Sequence, residues 1–123
     1  MRHLDLRTLL RLAQGIEGDP EIRDYSVLVA AIARHEATLM GRILLPRPVD
    51  AAAALLHTIV LLKPLSTFGN DVLGWVAAYT LLGINGLKVQ ADPHDALALV
   101  QAAAAGELDE REIAERLFGY ITG

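Results

Sequence analysis

The sequence predicts an all-α protein, a bundle of about six helices with a short extended flap before the central helix pair. Ala and Leu dominate the 123 residues, and both favour helix over strand. Aromatic residues make up only 5% of a chain that is 53% hydrophobic, so aliphatic side chains must build the core. Apolar residues recur at helical spacing between Gly and Pro breaks. Residues 1–123 are therefore expected to form one domain.

The first two helices are predicted from their caps and their spacing. Asp5 can cap a helix, and residues 15–20 read as a loop. Ser26 is the candidate cap of the second helix. The apolar faces of the two helices comprise Leu6, Leu9, Leu10 and Ala13 in the first, and Leu28, Ala31, Ile32 and His35 in the second.

The segment 40–49 is predicted to be an extended surface flap. It carries Gly41, Pro46 and Pro48, and two prolines this close together forbid a regular helix. Such a flap can dock an extended peptide by strand addition, although a passive loop is an equal alternative. The candidate partner-binding residues of the flap are Arg42, Ile43, Leu44 and Leu45.

Two strongly apolar helices follow the flap and form the predicted centre of the bundle. The first begins at Asp50 and ends before Pro64, because proline disfavours helical conformation in the preceding residue. Asn70 or Asp71 is the candidate N-cap of the second, which runs to about Ile84. A helix that is apolar nearly all round belongs in the interior, and Trp75, one turn into the second helix, is expected in the core.

The last two helices have strong start signals. Residues 87–90 read as a short extended piece, and Asp92 followed by Pro93 reads as an N-cap and first helical residue. This helix is expected to reach Ala105, and Asp109 is the candidate cap of the final helix.

Composition excludes several classes of partner. The net charge of −4 without a long basic run argues against nucleic acid. The absence of cysteine fits a cytoplasmic protein. The longest uncharged apolar stretch, residues 72–87, is interrupted by glycines and is short for a membrane span, so no membrane partner is expected.

The loop between the central helices, residues 63–72, is the candidate functional site. The step Gly69-Asn70 at a helix start suits the binding of a phosphate, because helix N-termini offer unpaired N–H groups and positive potential. The alternative is an ordinary loop and cap, since Asp71 opposes anions. The four histidines lack the spacing of helical zinc sites, and His57 is better explained as a hydrogen-bonded core histidine than as a base.

At this point the chain resembles the Fic/Doc family, in particular the short death-on-curing toxins of bacterial toxin–antitoxin pairs. The similarity follows the order and spacing of short segments along nearly the whole chain. These segments are Arg2-His3-Leu4, Ile22-Arg23-Asp24, Ala51 to His57, Ala77-Ala78, Leu81-Leu82, Asn85-Gly86-Leu87 and Gly106-Glu107-Leu108-Asp109.

The resemblance implies an active site at residues 63–72, but the chemistry of the family's motif is missing. The motif is a His-Pro-Phe-type turn, two residues, then Gly-Asn followed by cations. Lys63 stands at the position of the general base, or Pro64 if the alignment runs back from Gly69-Asn70. Phe68 replaces the acidic residue that holds magnesium. The phosphate-binding cations are replaced by Asp71 and Val72. The loop is also one residue longer than the family's.

The sequence favours one function and leaves two alternatives. The first is a catalytically inactive Fic/Doc-like protein whose Gly69-Asn70 step is a residual anion cradle, with no cofactor or metal expected. Its partner is then an antitoxin-like segment, a target on the flap, or another copy of itself. The second is an active AMP- or phospho-transferase with rearranged chemistry that uses Lys63, ATP and Mg. The third is a structural helical module of a larger assembly.

Overall fold

The computed structural model describes residues 1–122, and six helices account for most of them. Four strands of two residues each complete the regular structure, which confirms the predicted all-α class. In chain order the elements are α1 (Leu6–Gln14), α2 (Tyr25–His35), β1 (Thr38–Leu39), β2 (Arg42–Ile43), α3 (Pro48–Leu62), α4 (Asn70–Ile84), β3 (Lys88–Val89), α5 (Pro93–Ala104), α6 (Glu110–Gly119) and β4 (Ile121–Thr122).

Three of the predicted helix caps are confirmed. The side chain of Asp5 accepts a hydrogen bond from the backbone N–H of Thr8 at 2.8 Å. Asp92 accepts one from the N–H of His94 at 2.8 Å, with Pro93 as the first helical residue. Asp109 and Glu112 form a reciprocal capping box at the start of α6. In each case a short polar side chain satisfies N–H groups that the first turn of a helix leaves unpaired.

Two other caps differ from the prediction. Asp24, rather than Ser26, caps α2, and its carboxylate accepts from both the N–H and the hydroxyl of Ser26. These hydrogen bonds hold the pKa of Asp24 below its usual range. At α4 the cap is Gly69, in a left-handed conformation with φ of 91°, and Asn70 is the first helical residue. The side chain of Asn70 is engaged in the preceding loop and is therefore not used as a cap.

The predicted start of the third helix at Asp50 is two residues late. α3 begins at Pro48, which occupies the first helical position. Proline is tolerated there because the N–H that it lacks has no partner inside the helix. Arg47 precedes it in an extended conformation, and its guanidinium forms two hydrogen bonds of 2.9 Å with the Asp50 carboxylate. Pro48 and Val49, which were predicted to belong to the flap, are therefore part of α3.

The core centres on α3, which packs against α4, α2, α6 and α5. Six consecutive residues of this helix, Ala51 to Leu56, are completely buried, as expected for a helix that is apolar on every side. Small residues allow the close approach of α4. At Gly74 a Cβ atom would lie 2.7 Å from Val60 Cγ1. The two helices that flank the candidate loop are therefore among the best-packed elements of the fold.

The strands form two separate antiparallel pairs. β1 pairs with β2 around the turn Met40-Gly41, and this hairpin overlaps only the first part of the flap predicted at residues 40–49. β3 pairs with β4, so the expected extended piece at residues 87–90 is held by the end of the chain. Two-residue strands are too short for an alternating pattern to be read from sequence. Within residues 1–122 no helix is both long and apolar enough to cross a membrane.

Candidate functional site

The loop between α3 and α4 starts from a left-handed residue. Lys63 ends α3 with φ of 50°, and its N–H donates to the carbonyl of Ile59 at 2.9 Å. Its own carbonyl accepts a hydrogen bond from the guanidinium of Arg23 at 3.0 Å. Pro64 prevents continuation of the helix, as predicted. Lys63 is exposed, and the ion pairs found among residues 1–122 do not include it.

The segment before α2 fixes the loop from one side. The Pro64 carbonyl accepts hydrogen bonds from the N–H groups of Arg23 and Asp24, at 2.8 and 3.1 Å. Leu65 forms an isolated antiparallel bridge with Ile22. The N–H of Ser66 donates to the carbonyl of Glu21 at 2.9 Å, which extends the same pairing. The first half of the loop is therefore a strand-like segment with its backbone groups already paired.

Asn70 fixes the loop from the other side. Its Oδ1 accepts a hydrogen bond from the N–H of Leu65 at 2.9 Å, and its Nδ2 donates to the Leu65 carbonyl at 3.2 Å. Leu65 is only 1% exposed, so both backbone groups need a partner inside the protein. The side chain of Asn70 therefore has a structural role, which the sequence reading did not anticipate.

Apolar contacts surround the Gly69 step. A Cβ atom at Gly69 would lie 3.2 to 3.3 Å from side-chain carbons of Ile16, Leu65 and Pro20. The ring of Phe68 lies so close to Gly18 that a Cβ there would be 2.9 Å from the ring. Phe68 thus packs on the loop between α1 and α2. It offers no oxygen ligand at the position where the resemblance implies magnesium.

The first turn of α4 has N–H groups that the protein does not use. The N–H of Leu73 donates to the Gly69 carbonyl at 2.8 Å. Among the hydrogen bonds of residues 1–122, none is donated by the backbone N–H of Asn70, Asp71 or Val72. Helix N-termini favour anions, but the Asp71 carboxylate opposes them and Val72 adds no charge. An anion at this point would be bound by backbone groups alone.

The histidines lie away from this loop. His57 is on α3, six residues before Lys63, and its Nδ1 is 4.0 Å from a carboxylate oxygen of Glu110. The same carboxylate receives two hydrogen bonds from Arg34, at 3.1 and 2.8 Å. Arg34 and Glu110 thus join α2 to α6, and His57 of α3 lies beside this pair. No group of three or more potential metal ligands occurs among the residues described.

A second histidine pair holds the start of the chain. His35 is completely buried, and its Nε2 accepts a hydrogen bond from the N–H of Leu4 at 3.1 Å. Its Nδ1 therefore carries the proton and donates to the Ile32 carbonyl at 2.5 Å. His3 packs edge-on against the same ring, with centroids 5.1 Å apart. Burial lowers the pKa of His35, so it is neutral at pH 7.

The flap and the loop lie at opposite ends of α3. The helix has 15 residues, which spans about 22 Å at about 1.5 Å per residue. Of the four flap residues, Arg42, Ile43 and Leu44 are exposed and Leu45 is half-buried. The N–H of Leu44 donates to the carbonyl of Ala37 at 3.0 Å, which ties the hairpin to its base. The two predicted sites are therefore not brought together.

A cleft between α4 and α5 was missed by the sequence reading. Trp75, expected in the core, is only half-buried and lines a cleft of about 840 Å³ with Tyr79 and Asp92. An adjoining groove of about 180 Å³ lies beside Val72 and Leu97. The spacing of Val72, Trp75 and Tyr79 places them on one face of α4. The sequence did not single out this face of α4, because apolar residues occupy its other faces as well.

Comparison with known proteins supports the family resemblance seen in the sequence. A scan against models of known protein families finds no match. The chain is 39% identical over 105 residues to the Toxin Doc of Mycolicibacterium smegmatis (strain ATCC 700084 / mc(2)155), covering 84% of this chain and 80% of that protein. The fold is an all-α bundle of six helices, and at this identity and coverage the chain belongs to the Fic/Doc, or death-on-curing, family.

Proposed function

We propose that this chain is a catalytically inactive member of its family that acts by binding another protein. Its relative is named a toxin, and the proposed origin is the toxin component of a toxin–antitoxin pair. Its partner would be an antitoxin-like segment or a target on the flap, and a second copy of the chain is the other candidate. The proposed compartment is the cytoplasm, with no nucleotide or metal required.

The bonding of Asn70 is the observation that carries this proposal. Its side-chain amide is occupied by Leu65 at both ends, and Phe68 is packed against Gly18. Both side chains therefore have structural contacts within the protein, which supports the proposal. Phosphoryl transfer depends almost entirely on positioning and electrostatic stabilisation, and a general base contributes about 10²- to 10⁴-fold. A loop without base, metal ligand and cations would supply little of either.

The flap supports a role in binding. Leu39, Met40, Ile43 and Leu44 are all exposed, and Met40 is 96% exposed. Each of the two strands has one unpaired edge in residues 1–122, because β1 and β2 pair only with each other. An exposed apolar hairpin edge suits strand addition by an extended peptide. The distance of the flap from the loop fits a binding role that is independent of chemistry.

An active transferase is the second candidate, and one observation favours it. The three unused N–H groups at the start of α4 could hold a phosphate of ATP without any side chain. Lys63, with Mg²⁺ and ATP, would then take part in rearranged chemistry. This candidate requires the nucleotide to approach past the carboxylate of Asp71.

Incubation with radiolabelled ATP, GTP or UTP and a bacterial lysate separates the two candidates. We expect no protein band to carry more label than in the lysate alone, and no nucleotide binding by calorimetry at millimolar concentration. Transfer of label that Lys63→Ala abolishes would overturn the proposal and establish the second candidate. Leu62→Ala, another exposed change at the end of α3, is the matched control, since it leaves the loop chemistry unchanged.

A further inference from the structure

Residues 2–4 form a strap across the ends of α2 and α4. At one end, the Arg2 N–H donates to Asn85 Oδ1 at 2.8 Å, and Asn85 Nδ2 donates to the Arg2 carbonyl at 2.9 Å. At the other end, the Leu4 N–H donates to His35 Nε2 at 3.1 Å. The Leu4 side chain is only 3% exposed and belongs to the core. Three hydrogen bonds and one apolar side chain therefore hold the strap.

The hydrogen bond from Leu4 can form only while His35 is neutral. Nδ1 of His35 donates to the Ile32 carbonyl, so it carries the single proton of the ring and leaves Nε2 free to accept. A second proton must go to Nε2, where it would place an N–H against the N–H of Leu4. Burial also lowers the pKa of His35, because a buried ring is poorly solvated when charged. The neutral ring and the attached strap thus stabilise each other.

His3 adds a second titratable ring at the same point of the strap. It packs edge-on against His35, with ring centroids 5.1 Å apart. Its Nε2 is buried and has no hydrogen-bond partner within residues 1–122, which is unfavourable for a polar atom. A proton on either ring opposes a proton on the other, because like charges repel. Release of the strap would separate the two rings and let water reach both Nε2 atoms.

Few other charges act on the buried histidine of α2. Glu36, the next residue, favours the protonated form of His35, but this effect is smaller than that of burial. Arg34 is ion-paired with Glu110 of α6, and His57 of α3 lies beside that pair. Within residues 1–122, α1 and α4 contribute no charged group to the main influences on the pKa of His35. Burial and the strap histidine are therefore the main factors that oppose protonation.

We propose that residues 2–4 are a pH-sensitive strap: protonation of His35 at Nε2 breaks the hydrogen bond from Leu4, and the strap detaches from α2 and α4 while the helices stay folded. The detached strap exposes Leu4 and the part of the core that it covers. This device uses neither the flap nor the central loop, so it does not depend on the proposed function.

The start of α1 limits the release to the strap. Asp5 follows the strap directly and caps α1 through the N–H of Thr8. Hydrogen bonding to Thr8 lowers the pKa of Asp5, so this cap stays charged over the pH range in which histidines are protonated. α1 has its own contacts with α2 and α4, and its Leu9 is completely buried. The chain is therefore expected to open between Leu4 and Asp5.

The amide signals of a 15N-labelled sample measure the strap directly by nuclear magnetic resonance. From about pH 8 to about pH 5, the amides of His3 and Leu4 should lose their folded chemical shifts and become mobile in heteronuclear relaxation. The midpoint should match that of the His35 ring. The amide of Ile59, which is completely buried on α3, should keep its folded shift throughout. The ratio of attached to detached strap should fall by up to about 10-fold per pH unit below about 6.5, for each histidine involved.

Three variants separate the contributions to the strap. His35→Gln can still accept from the Leu4 N–H but cannot be protonated in this range, so its strap should stay attached. Asn85→Ala removes the other anchor and should move release to a higher pH. His3→Phe keeps an edge-on ring but removes the unpartnered nitrogen, and should raise the attached-to-detached ratio about 3- to 10-fold at acid pH. His94→Gln, on the exposed start of α5, is the matched control and should keep the midpoint of the parent.

Three outcomes would overturn the proposal. A Leu4 amide that keeps its shift while His35 titrates would show that attachment does not depend on the proton. Loss of the Leu4 and Ile59 signals at one pH would show global unfolding instead of release. Where His35→Gln does not fold, the opposite shifts of Asn85→Ala and His3→Phe carry the test, and equal midpoints in these two variants would contradict the proposal.

Discussion

The side chain of Asn70 closes the central loop by two hydrogen bonds to the backbone of Leu65. Oδ1 accepts from the Leu65 N–H at 2.9 Å, and Nδ2 donates to the Leu65 carbonyl at 3.2 Å. An asparagine beside a glycine at a helix start is well suited to a phosphate site. Here the Asn70 side chain forms hydrogen bonds with both backbone groups of buried Leu65, as a neighbouring strand would. The loop is therefore held in one shape by its own side chain.

Asn70→Ala should destabilise the protein by about 1 to 3 kcal/mol, because it leaves the N–H and carbonyl of buried Leu65 without partners. The free energy of unfolding, measured by urea denaturation and circular dichroism, checks this. Thr67→Ala, an exposed change in the same loop, is the control and should stay within about 0.5 kcal/mol of the parent. Equal stability of both variants would show that the hydrogen bonds of Asn70 contribute nothing.

Two glycines in α4 should respond to alanine in opposite directions. At Gly74 the added Cβ would lie 2.7 Å from Val60 Cγ1 and 3.4 Å from the Leu56 carbonyl oxygen. Gly74→Ala should therefore cost about 1 to 3 kcal/mol through overpacking. At Gly83 nothing lies within 4 Å, and the better helix propensity of alanine should stabilise the protein by up to about 1 kcal/mol. Thermal denaturation of both variants, scanned at one protein concentration, measures the difference. A stabilised Gly74→Ala would mean that α3 and α4 are not in close contact there.

The stability of the protein should fall as the pH drops below about 6.5, and His35 should be one cause. Burial lowers the pKa of His35 in the folded state, so the unfolded chain binds a proton first. Its contribution to stability is complete above the unfolded pKa and is lost as pH falls through the lowered pKa. His3 and Glu36 are the titratable groups that act on it. Protonation of Nε2 would also break the hydrogen bond from Leu4.

His35→Gln tests that origin, because glutamine can accept from the Leu4 N–H but cannot be protonated in this range. The variant should show a flatter dependence of unfolding free energy on pH between about 6.5 and 5, by up to about 1.4 kcal/mol per pH unit. His94→Gln, on the exposed start of α5, is the control and should keep the slope of the parent. An unchanged slope in His35→Gln would assign the dependence to other groups.

Local signals in the sequence were enough for most of the fold. The caps Asp5, Asp92 and Asp109 were predicted because their effect is limited to the next three residues. The pairing of β3 with β4 was not predicted, because it joins residues 88–89 to 121–122 across two helices. Asn70 was assigned to a cap for the same reason. Its actual partner, Leu65, competes for the side chain through a turn whose shape depends on contacts with residues 21–24.

The site was less predictable than the fold, because the sequence of a helix that is apolar on every face does not indicate which face is exposed. Trp75 was placed in the core, although it lines an open cleft. Phe68 was judged only by the chemistry it lacks, whereas the structure gives it a packing partner in Gly18. The flap and the loop were each predicted, but the distance between them was not. About 22 Å of helix separates Leu45 from Lys63.

Lys63→His should not restore transfer activity. The substitution returns a group that can act as a base near neutral pH, but a base alone contributes about 10²- to 10⁴-fold to a transfer that also needs phosphate and metal contacts. Asp71 still repels the nucleotide, and Phe68 still offers no ligand for magnesium. The left-handed φ of 50° at this position further limits where an imidazole can be placed. Label transfer from ATP to proteins of a lysate is the measurement.

The informative comparison is a combined variant that adds Phe68→Asp, Asp71→Lys and Val72→Arg to Lys63→His. It returns the metal ligand and both cations to the same loop. Transfer by the combined variant alone would show that electrostatics, rather than the loop's length, silenced the site. Transfer by Lys63→His alone would contradict the argument made from Asp71 and Phe68.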